Sequence, residues 1–237
     1  MATSGTVTFD LAIDEIVEEA YERCGIQTNS GYNLAKARRS LNVLFSDWGN
    51  RGVHLFKIQL NATALVGSQS QYETASGCND VLEAFISNNA TTVNPGSGTT
   101  DISITKIDRS TYAALPNKGS TGTPSQYYVQ RVSKGSSTLP LINLYLTPDL
   151  STYTHLKYFS VQRIEDAGAF TNTADVPFRW LPCMVSGLAF YLSQKYVPER
   201  TEQLKLYYED EIKRALDEDG SRSSTFITPA QFYPTVT

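Results

Sequence analysis

The sequence predicts an α+β protein: a four-helix bundle built from the two ends of the chain, an inserted antiparallel β-domain (a sandwich or a small barrel), and an extended C-terminal arm. Apolar residues recur at helical spacing from 10 to 48 and again from 181 to 216. Between these regions, short alternating stretches are separated by Gly, Pro, Ser, Asn and Thr, as in antiparallel sheets. The predicted parts are a helical hairpin at 1–52, the β-domain at 53–174, a helix pair at 175–219 and the arm at 220–237.

The first helix is predicted over residues 10–24, DLAIDEIVEEAYERC, with Asp10 as its N-cap and Gly25 as its end. Its apolar face consists of Ile13, Ile16, Val17, Ala20, Tyr21 and Cys24. The opposite face carries glutamates three and four residues apart, which form an acidic stripe: Glu15, Glu18, Glu19 and Glu22.

The second helix is predicted to begin near Ser30 or Asn33 and to end at the glycines 49 and 52. Its apolar stripe is Leu34, Ala37, Leu41, Leu44, Phe45 and Trp48. Three cations lie off that stripe and form a basic group: Lys36, Arg38 and Arg39. The next residues, VHLFKIQL, alternate like a strand.

Strands are predicted within DISITKI, SQYYVQRV, LINLYL and YTHLKYFSV, and a short helix is predicted in DRSTYAAL. The stretch NNATTVNPGSGTT, residues 88–100, is predicted to be a loop. The strands are rich in tyrosines, some of which we assign to the core and the others to contacts with a partner. These tyrosines are Tyr127, Tyr128, Tyr145, Tyr153 and Tyr158.

The third helix places Leu181, Met184, Val185, Leu188 and Leu192 on one face. Small residues on the neighbouring face would allow close helix contact: Ser186, Gly187, Ala189 and Ser193. Pro182 is expected in the first turn, where a missing N–H costs little. The last helix carries Leu204, Tyr207, Tyr208, Ile212, Ala215 and Leu216, with predicted i,i+4 pairs of Glu209 with Lys213 and Asp210 with Arg214.

Composition excludes several classes of protein. A content of 41% hydrophobic and 19% charged residues is typical of a globular domain. The net charge of −4 argues against tight binding to nucleic acid through its phosphates. The three cysteines are widely spaced, which predicts buried, reduced thiols. We expect neither a secretion signal nor a membrane span.

No catalytic pattern is recognisable. The two histidines, His54 and His155, fall in strand-like stretches without metal-ligand spacing, and phosphate-loop, EF-hand and paired CxxC motifs are absent. Acidic pairs such as Glu165–Asp166 fit solvated turns better than glycosidase chemistry. The sequence therefore predicts no enzyme activity, cofactor or metal.

Two features suggest contacts with other proteins. The acidic stripe and the basic group are either two solvated faces or complementary patches for head-to-tail assembly of identical subunits. The tail is either a frayed end or an arm that orders on a partner, because it is too apolar for a purely solvated segment. Its candidate contact residues are Arg222, Phe226, Ile227, Phe232 and Tyr233.

Four stretches together resemble the head-to-tail adaptor proteins of short-tailed bacteriophages, the tail tubular protein A family. They are LNVLFSDWGNRGVHLFKI, YAALPNKGSTGTPSQYYVQR, YFSVQRIEDAGAFTNTADVPFRWLPCMVSGLAFYLSQKY and YYEDEIKRALDEDGSRSS. The resemblance covers nearly the whole chain in order.

The resemblance implies a non-enzymatic virion protein that is assembled in the host cytoplasm and located in the phage tail. It implies a ring of twelve copies between the portal protein and the tail nozzle protein, around a channel through which DNA passes without sequence-specific binding and without contact to a membrane. It also implies that residues 222–237 reach the portal and that the β-domains face neighbours and the nozzle, with Tyr127, Tyr128 and Tyr153 as candidate contacts.

The alternative is a β-sandwich binding module of a tail or capsid, for example a carbohydrate reader, which would explain the tyrosine-rich strands. A tail-associated hydrolase is a weaker alternative, because no nucleophile with a base and an orienting residue is visible.

Overall fold

The computed structural model describes residues 5, 9–26, 31–92, 98–131 and 139–219, with the backbone alone at 31–33, 218 and 219. These ranges form a mixed α/β protein with five α-helices and a seven-stranded sheet. The helices are α1 (Ile13–Cys24), α2 (Gly31–Asn50), α3 (Arg109–Ala114), α4 (Leu181–Tyr196) and α5 (Thr201–Asp219). The strands are β1 (Ile58–Ala64), β2 (Gln71–Glu73), β3 (Cys78–Ser87), β4 (Asp101–Lys106), β5 (Thr121–Gly122), β6 (Gln126–Gln130), β7 (Leu141–Tyr145), β8 (Thr147–Pro148) and β9 (His155–Gln162). The predicted arm, 220–237, lies outside the described residues.

Helices from both ends of the chain share one apolar core, in which α1, α2 and α5 each contact α4. The predicted apolar faces of α1 and α2 are confirmed, with Trp48 and Ile16 fully buried. The apolar face of the last helix is narrower than predicted. Tyr208 and Ile212 are buried, whereas Tyr207 and Leu216 are exposed. The core thus comes from segments more than 130 residues apart in sequence.

Helix α4 is buried on nearly every side, including the predicted small face. A Cβ atom added at Gly187 would lie 2.8 Å from Leu44 Cδ1 and 2.9 Å from a ring carbon of Tyr208. Glycine therefore allows α2 and α5 to approach α4 at the same level. Pro182 lies in the first turn of α4, as predicted.

The start of α1 differs from the prediction. The N-cap is Ala12 rather than Asp10, and the Ala12 N–H donates to the Glu15 carboxylate at 2.9 Å. The Ile13 N–H donates to the carbonyl of Asn172 at 2.9 Å. Backbone carbonyls of a distant segment thus supply acceptors that a side-chain cap would otherwise provide.

That distant segment, residues 163–176, follows β9 and packs on the helices. Ile164 and Ala167 are buried in the helical core, although the sequence placed them in the β-domain. The Ala167 N–H donates to Asn42 Oδ1 at 2.7 Å, and Lys57 forms an ion pair with Asp175. The two connections between the helical and β regions are therefore tied to each other.

The sheet has the strand order β1-β9-β3-β4-β6-β7-β2, with β1 and β2 at its edges. Its pairs are antiparallel, as predicted, except for the short β4–β6 pair, which is parallel. A separate parallel pair joins β5 to β8. Parallel pairing of β4 and β6 is possible because the connection between them, which contains α3, is long enough to cross over.

The sheet is curled, and residues from both of its halves meet in a second apolar core. The largest buried side chains there include Tyr127, Tyr158 and Ile86. Helix α3 was predicted correctly, and Asp108 caps it by accepting a hydrogen bond from the Thr111 N–H at 2.7 Å.

A polar network joins the end of α2 to α5. Arg51 donates two hydrogen bonds to the Glu209 carboxylate at 2.9 and 3.0 Å and a third to Asp47 at 2.8 Å. Its guanidinium lies 5.2 Å from the ring centre of Tyr208, whose hydroxyl accepts a hydrogen bond from Trp48 Nε1 at 3.1 Å. The hydrogen bonds from Arg51 hold the pKa of Glu209 below its usual range.

We predict that Gly187→Ala destabilises the protein by about 1–3 kcal/mol, because the added methyl group overlaps Leu44 and Tyr208. Gly49→Ala is the control: it is also helical, but its added Cβ would meet no atom within 4 Å beyond the adjacent residues and its own helix backbone, so stability should be unchanged or rise by up to about 1 kcal/mol. Urea unfolding measures both. Equal effects of the two substitutions would contradict the packing described for α4.

We also predict that Glu209→Gln lowers the unfolding free energy by about 1 kcal/mol at pH 7. Because the folded-state pKa of Glu209 is lowered, its stabilisation is complete above the unfolded pKa of about 4.3 and is lost as the pH falls through the folded value. The difference in unfolding free energy between the two proteins should therefore shrink as the pH falls below about 4.3.

Asp210→Asn is the matched control for this measurement. Asp210 pairs with Arg214 on the outer surface of α5, and such an exposed i,i+4 pair contributes about 0.3–0.5 kcal/mol. A loss as large as that of Glu209→Gln would show that the Arg51 network has no special role.

Candidate interaction surfaces

An apolar groove rimmed by glutamates runs between α1 and the start of α4. We call it the acidic groove; its volume is 470 Å³. Leu11, Leu181 and Val185 contribute to its apolar lining. The remaining lining residues are Phe9, Glu15, Glu18, Glu19, Glu22, Arg23, Phe178 and Pro182. The acidic stripe predicted from helical spacing is therefore one wall of a concave surface.

Two aromatic rings lie at the surface of the acidic groove. Phe9 is 65% and Phe178 67% exposed, and their rings pack edge to face with centres 6.2 Å apart. Exposed aromatic pairs beside a concave apolar surface are typical of binding sites for other protein segments. Sequence reasoning missed both residues, because neither falls within a periodic stretch.

The groove keeps a negative character. Arg23 pairs with Glu19 at 3.0 Å and donates to Ser186 Oγ at 2.6 Å, which fixes this cation at the rim. Within the described part of the chain, no hydrogen bond or ion pair engages the side-chain carboxylate of Glu18 or Glu22. These carboxylates are available to a cationic partner group.

The basic group does not form one exposed patch. Arg38 is half-buried, donates to the Gly168 carbonyl at 3.1 Å and lies 5.5 Å from the ring centre of Phe170. Lys36 is half-buried beside the ring of Tyr196. Arg39 is the exposed member of the group.

Arg39 lies on the outer face of α2, where a shallow depression of 490 Å³ is also lined by Val43. Val43 is 50% exposed, and the depression is also lined by Asp47 and by Arg163, which pairs with Asp166. The predicted basic patch is therefore reduced to Arg39 and its immediate surroundings.

The structure divides the candidate tyrosines. Tyr127 is buried and its hydroxyl donates to the Leu82 carbonyl at 3.3 Å; Tyr158 is buried and its hydroxyl accepts from the Ala75 N–H at 2.8 Å. Both pack inside this chain, so Tyr127 is removed from the predicted partner contacts. The alternation of apolar and polar residues along a strand separates its two faces, but it does not show which face points into the core of a curled sheet.

The other two candidate contacts of the β region are half-buried. Tyr128 stacks on Tyr112 of α3 with ring centres 5.5 Å apart, and Tyr153 packs against the β core. Each leaves part of its surface accessible. The arm residues predicted to contact the portal lie outside the described residues: Arg222, Phe226, Ile227, Phe232 and Tyr233.

A polar cleft of 590 Å³ separates the end of α2 from β3 and β9. His54 lines it and precedes β1, whereas His155 begins β9, so the strand prediction holds for His155 alone. Arg131 pairs with Asp80 inside the cleft, which neutralises both charges. The cleft offers hydrogen-bonding groups without a concentrated charge.

The cysteines are free and buried, as predicted. Burial raises the pKa of Cys183 to about 12, so its thiol stays protonated near neutral pH and is a poor nucleophile. Among the described residues, no group of three or more His, Cys, Asp or Glu side chains is placed to hold a metal ion.

Comparison with known protein families and with curated proteins finds no match to this chain. No helix within the described ranges combines the length and apolar character that crossing a membrane requires.

We predict that Arg38→Glu lowers the unfolding free energy by about 1.5–3 kcal/mol, because it removes a charge-assisted hydrogen bond and the contact with Phe170. Arg39→Glu introduces the same charge change one residue away and should stay within about 0.5 kcal/mol of the parent. Thermal and urea unfolding compare the two. Similar losses would contradict the different surroundings of these arginines.

Proposed function

We propose that this chain is a non-enzymatic structural subunit of a short-tailed phage tail, an adaptor that forms a ring between the portal and the nozzle. The observation that carries the proposal is the layout: helices from both chain ends share one core, and the β region is inserted between them. That layout agrees with the adaptor family that four stretches of the sequence resemble.

In the proposed ring, the helical part supplies a four-helix bundle as the rigid body, and neighbouring copies make head-to-tail contacts. Such contacts require two different patches on each subunit. The acidic groove, with its four glutamates, and Arg39, an exposed cation on α2, lie on the same helical body and are the two candidate patches. Twelve copies would repeat this modest contact around the ring.

The proposed DNA channel needs a wall that does not hold the passing duplex. Tight binding to DNA comes from clustered Lys and Arg that displace counterions from phosphates. The chain has a net charge of −4, and two of its three clustered α2 cations are half-buried. These features favour a channel wall past which DNA slides.

The remaining proposed contacts are those with the portal and the nozzle. Residues 222–237 are the candidate portal-binding arm, and the β region is the candidate nozzle-facing part. Tyr128 and Tyr153 remain candidate contacts there, because each keeps part of its surface accessible. The location of the protein would then be the virion tail.

Co-expression with the portal protein of the same genome tests this function. With the purification tag on the portal, we expect a twelve-fold double ring in negative-stain electron microscopy. Arg39→Glu should reduce ring occupancy, whereas Arg214→Glu, an equal charge change on the outer face of α5, should not. Deletion of 222–237 should abolish co-purification, and circular dichroism should show that the shortened protein stays folded.

A portal that purifies alone, with both proteins folded, would overturn the proposed function. Specific binding of a sugar in a glycan array, together with that result, would favour the carbohydrate-binding alternative.

A further inference from the structure

The acidic groove is an open apolar surface beside the point where the described chain ends. We propose that residues 220–237 of the same chain occupy this groove in the free protein. The inference concerns the isolated chain and does not rest on the proposed function. Three observations support it: the direction of α5, the side chains of the segment, and the character of the groove.

Helix α5 runs antiparallel to α4 and ends beside the entrance of the groove. Ser193, near the end of α4, lies 3.1 Å from Thr201 at the start of α5, and Gly187 faces Tyr208. Because the two helices lie side by side in opposite directions, the last turns of α5 lie near the start of α4. Helix α5 indeed contacts the turn Phe178–Trp180, which precedes α4 and contributes Phe178 to the groove.

The segment suits the groove chemically. It contains one cation, Arg222, and no Asp or Glu, so the glutamate rim does not repel its side chains. It also carries large apolar groups at Phe226, Ile227, Phe232 and Tyr233. A groove with an apolar lining and an anionic rim accommodates an apolar segment with a cationic residue.

The connection from α5 to the first large apolar residue of the segment is short. Phe226 follows the last residue of α5 by seven positions, and seven extended residues span about 23–25 Å. Such a short tether gives an effective concentration of about a millimolar, which favours the chain's own segment over a second copy in dilute solution. A second copy offers Arg39 alone as an exposed cation of the basic group.

Occupation of the groove would hold the segment against the helical body until a stronger binding partner displaces it. The segment would cover Phe9 and Phe178, whose rings are otherwise about two-thirds exposed. Binding of a partner to 220–237 would then uncover an apolar, acidic surface at the same time.

Site-specific photo-crosslinking of the full chain tests the proposal. The photoreactive residue p-benzoylphenylalanine replaces Phe226 in one protein and Tyr233 in a second, and mass spectrometry maps the crosslinks after irradiation. We expect crosslinks to peptides that contain Phe9, the glutamates of α1 or residues 178–185. The same probe at Tyr207, which is 54% exposed on α5, is the control and should not give them.

A double substitution, Phe9→Ala with Phe178→Ala, should reduce these crosslinks several-fold, because it removes the two exposed rings of the groove. Circular dichroism should stay unchanged, since both side chains are mostly exposed on the helical body itself. Mixing isotope-labelled with unlabelled protein separates crosslinks within a chain from those between copies.

Heavy–light crosslinks at the frequency expected for random pairing of copies would assign the segment to a second copy and overturn the proposal. Crosslinks spread over the surface, or a yield no higher than that of the Tyr207 control, would overturn it as well. Because no portal protein is present, neither result bears on the adaptor function.

Discussion

The rest of the structure depends on the close packing of α4 against three other helices. At Gly187 there is no room for a side chain between Leu44 of α2 and Tyr208 of α5. Protein interiors tolerate little change in volume, so this contact fixes the separation of helices that come from opposite ends of the chain. The hydrogen bond from Trp48 to Tyr208 and the Arg51 network then fix α2 against α5.

The β region is attached to this helical body at two neighbouring points. Lys57 precedes β1 and Asp175 follows β9, and the ion pair between them ties the two connections together. Beyond β9, the segment 163–176 returns to the helices, buries Ile164 in their core and supplies a backbone acceptor to the start of α1. Both connections are therefore part of the folded helical body rather than free linkers, which gives the inserted region a defined attachment.

The same packing determines which charged residues remain available to partners. Placing α1 beside the start of α4 turns a row of glutamates into the wall of an apolar groove. Packing of segment 163–176 over α2 uses Arg38 internally and leaves Arg39 exposed. The exposed charged surfaces are consequently smaller than the charge pattern of either helix suggests, and the acidic one lies where two elements meet.

The sequence alone determined the features that depend on neighbouring residues: the apolar faces of the helices, the end of α1 at Gly25, the short helix capped by Asp108 and the burial of the cysteines. Such signals arise within one or two turns of chain, where side-chain periodicity and backbone conformation act directly. Only the tertiary structure decided the features that need distant groups. The cap of α1 comes from residue 172, the partner of Glu209 is Arg51 rather than the nearby Lys213, and Tyr127 faces inward because the sheet curls. These outcomes depend on which surfaces meet after folding, and no local pattern in the sequence carries that information.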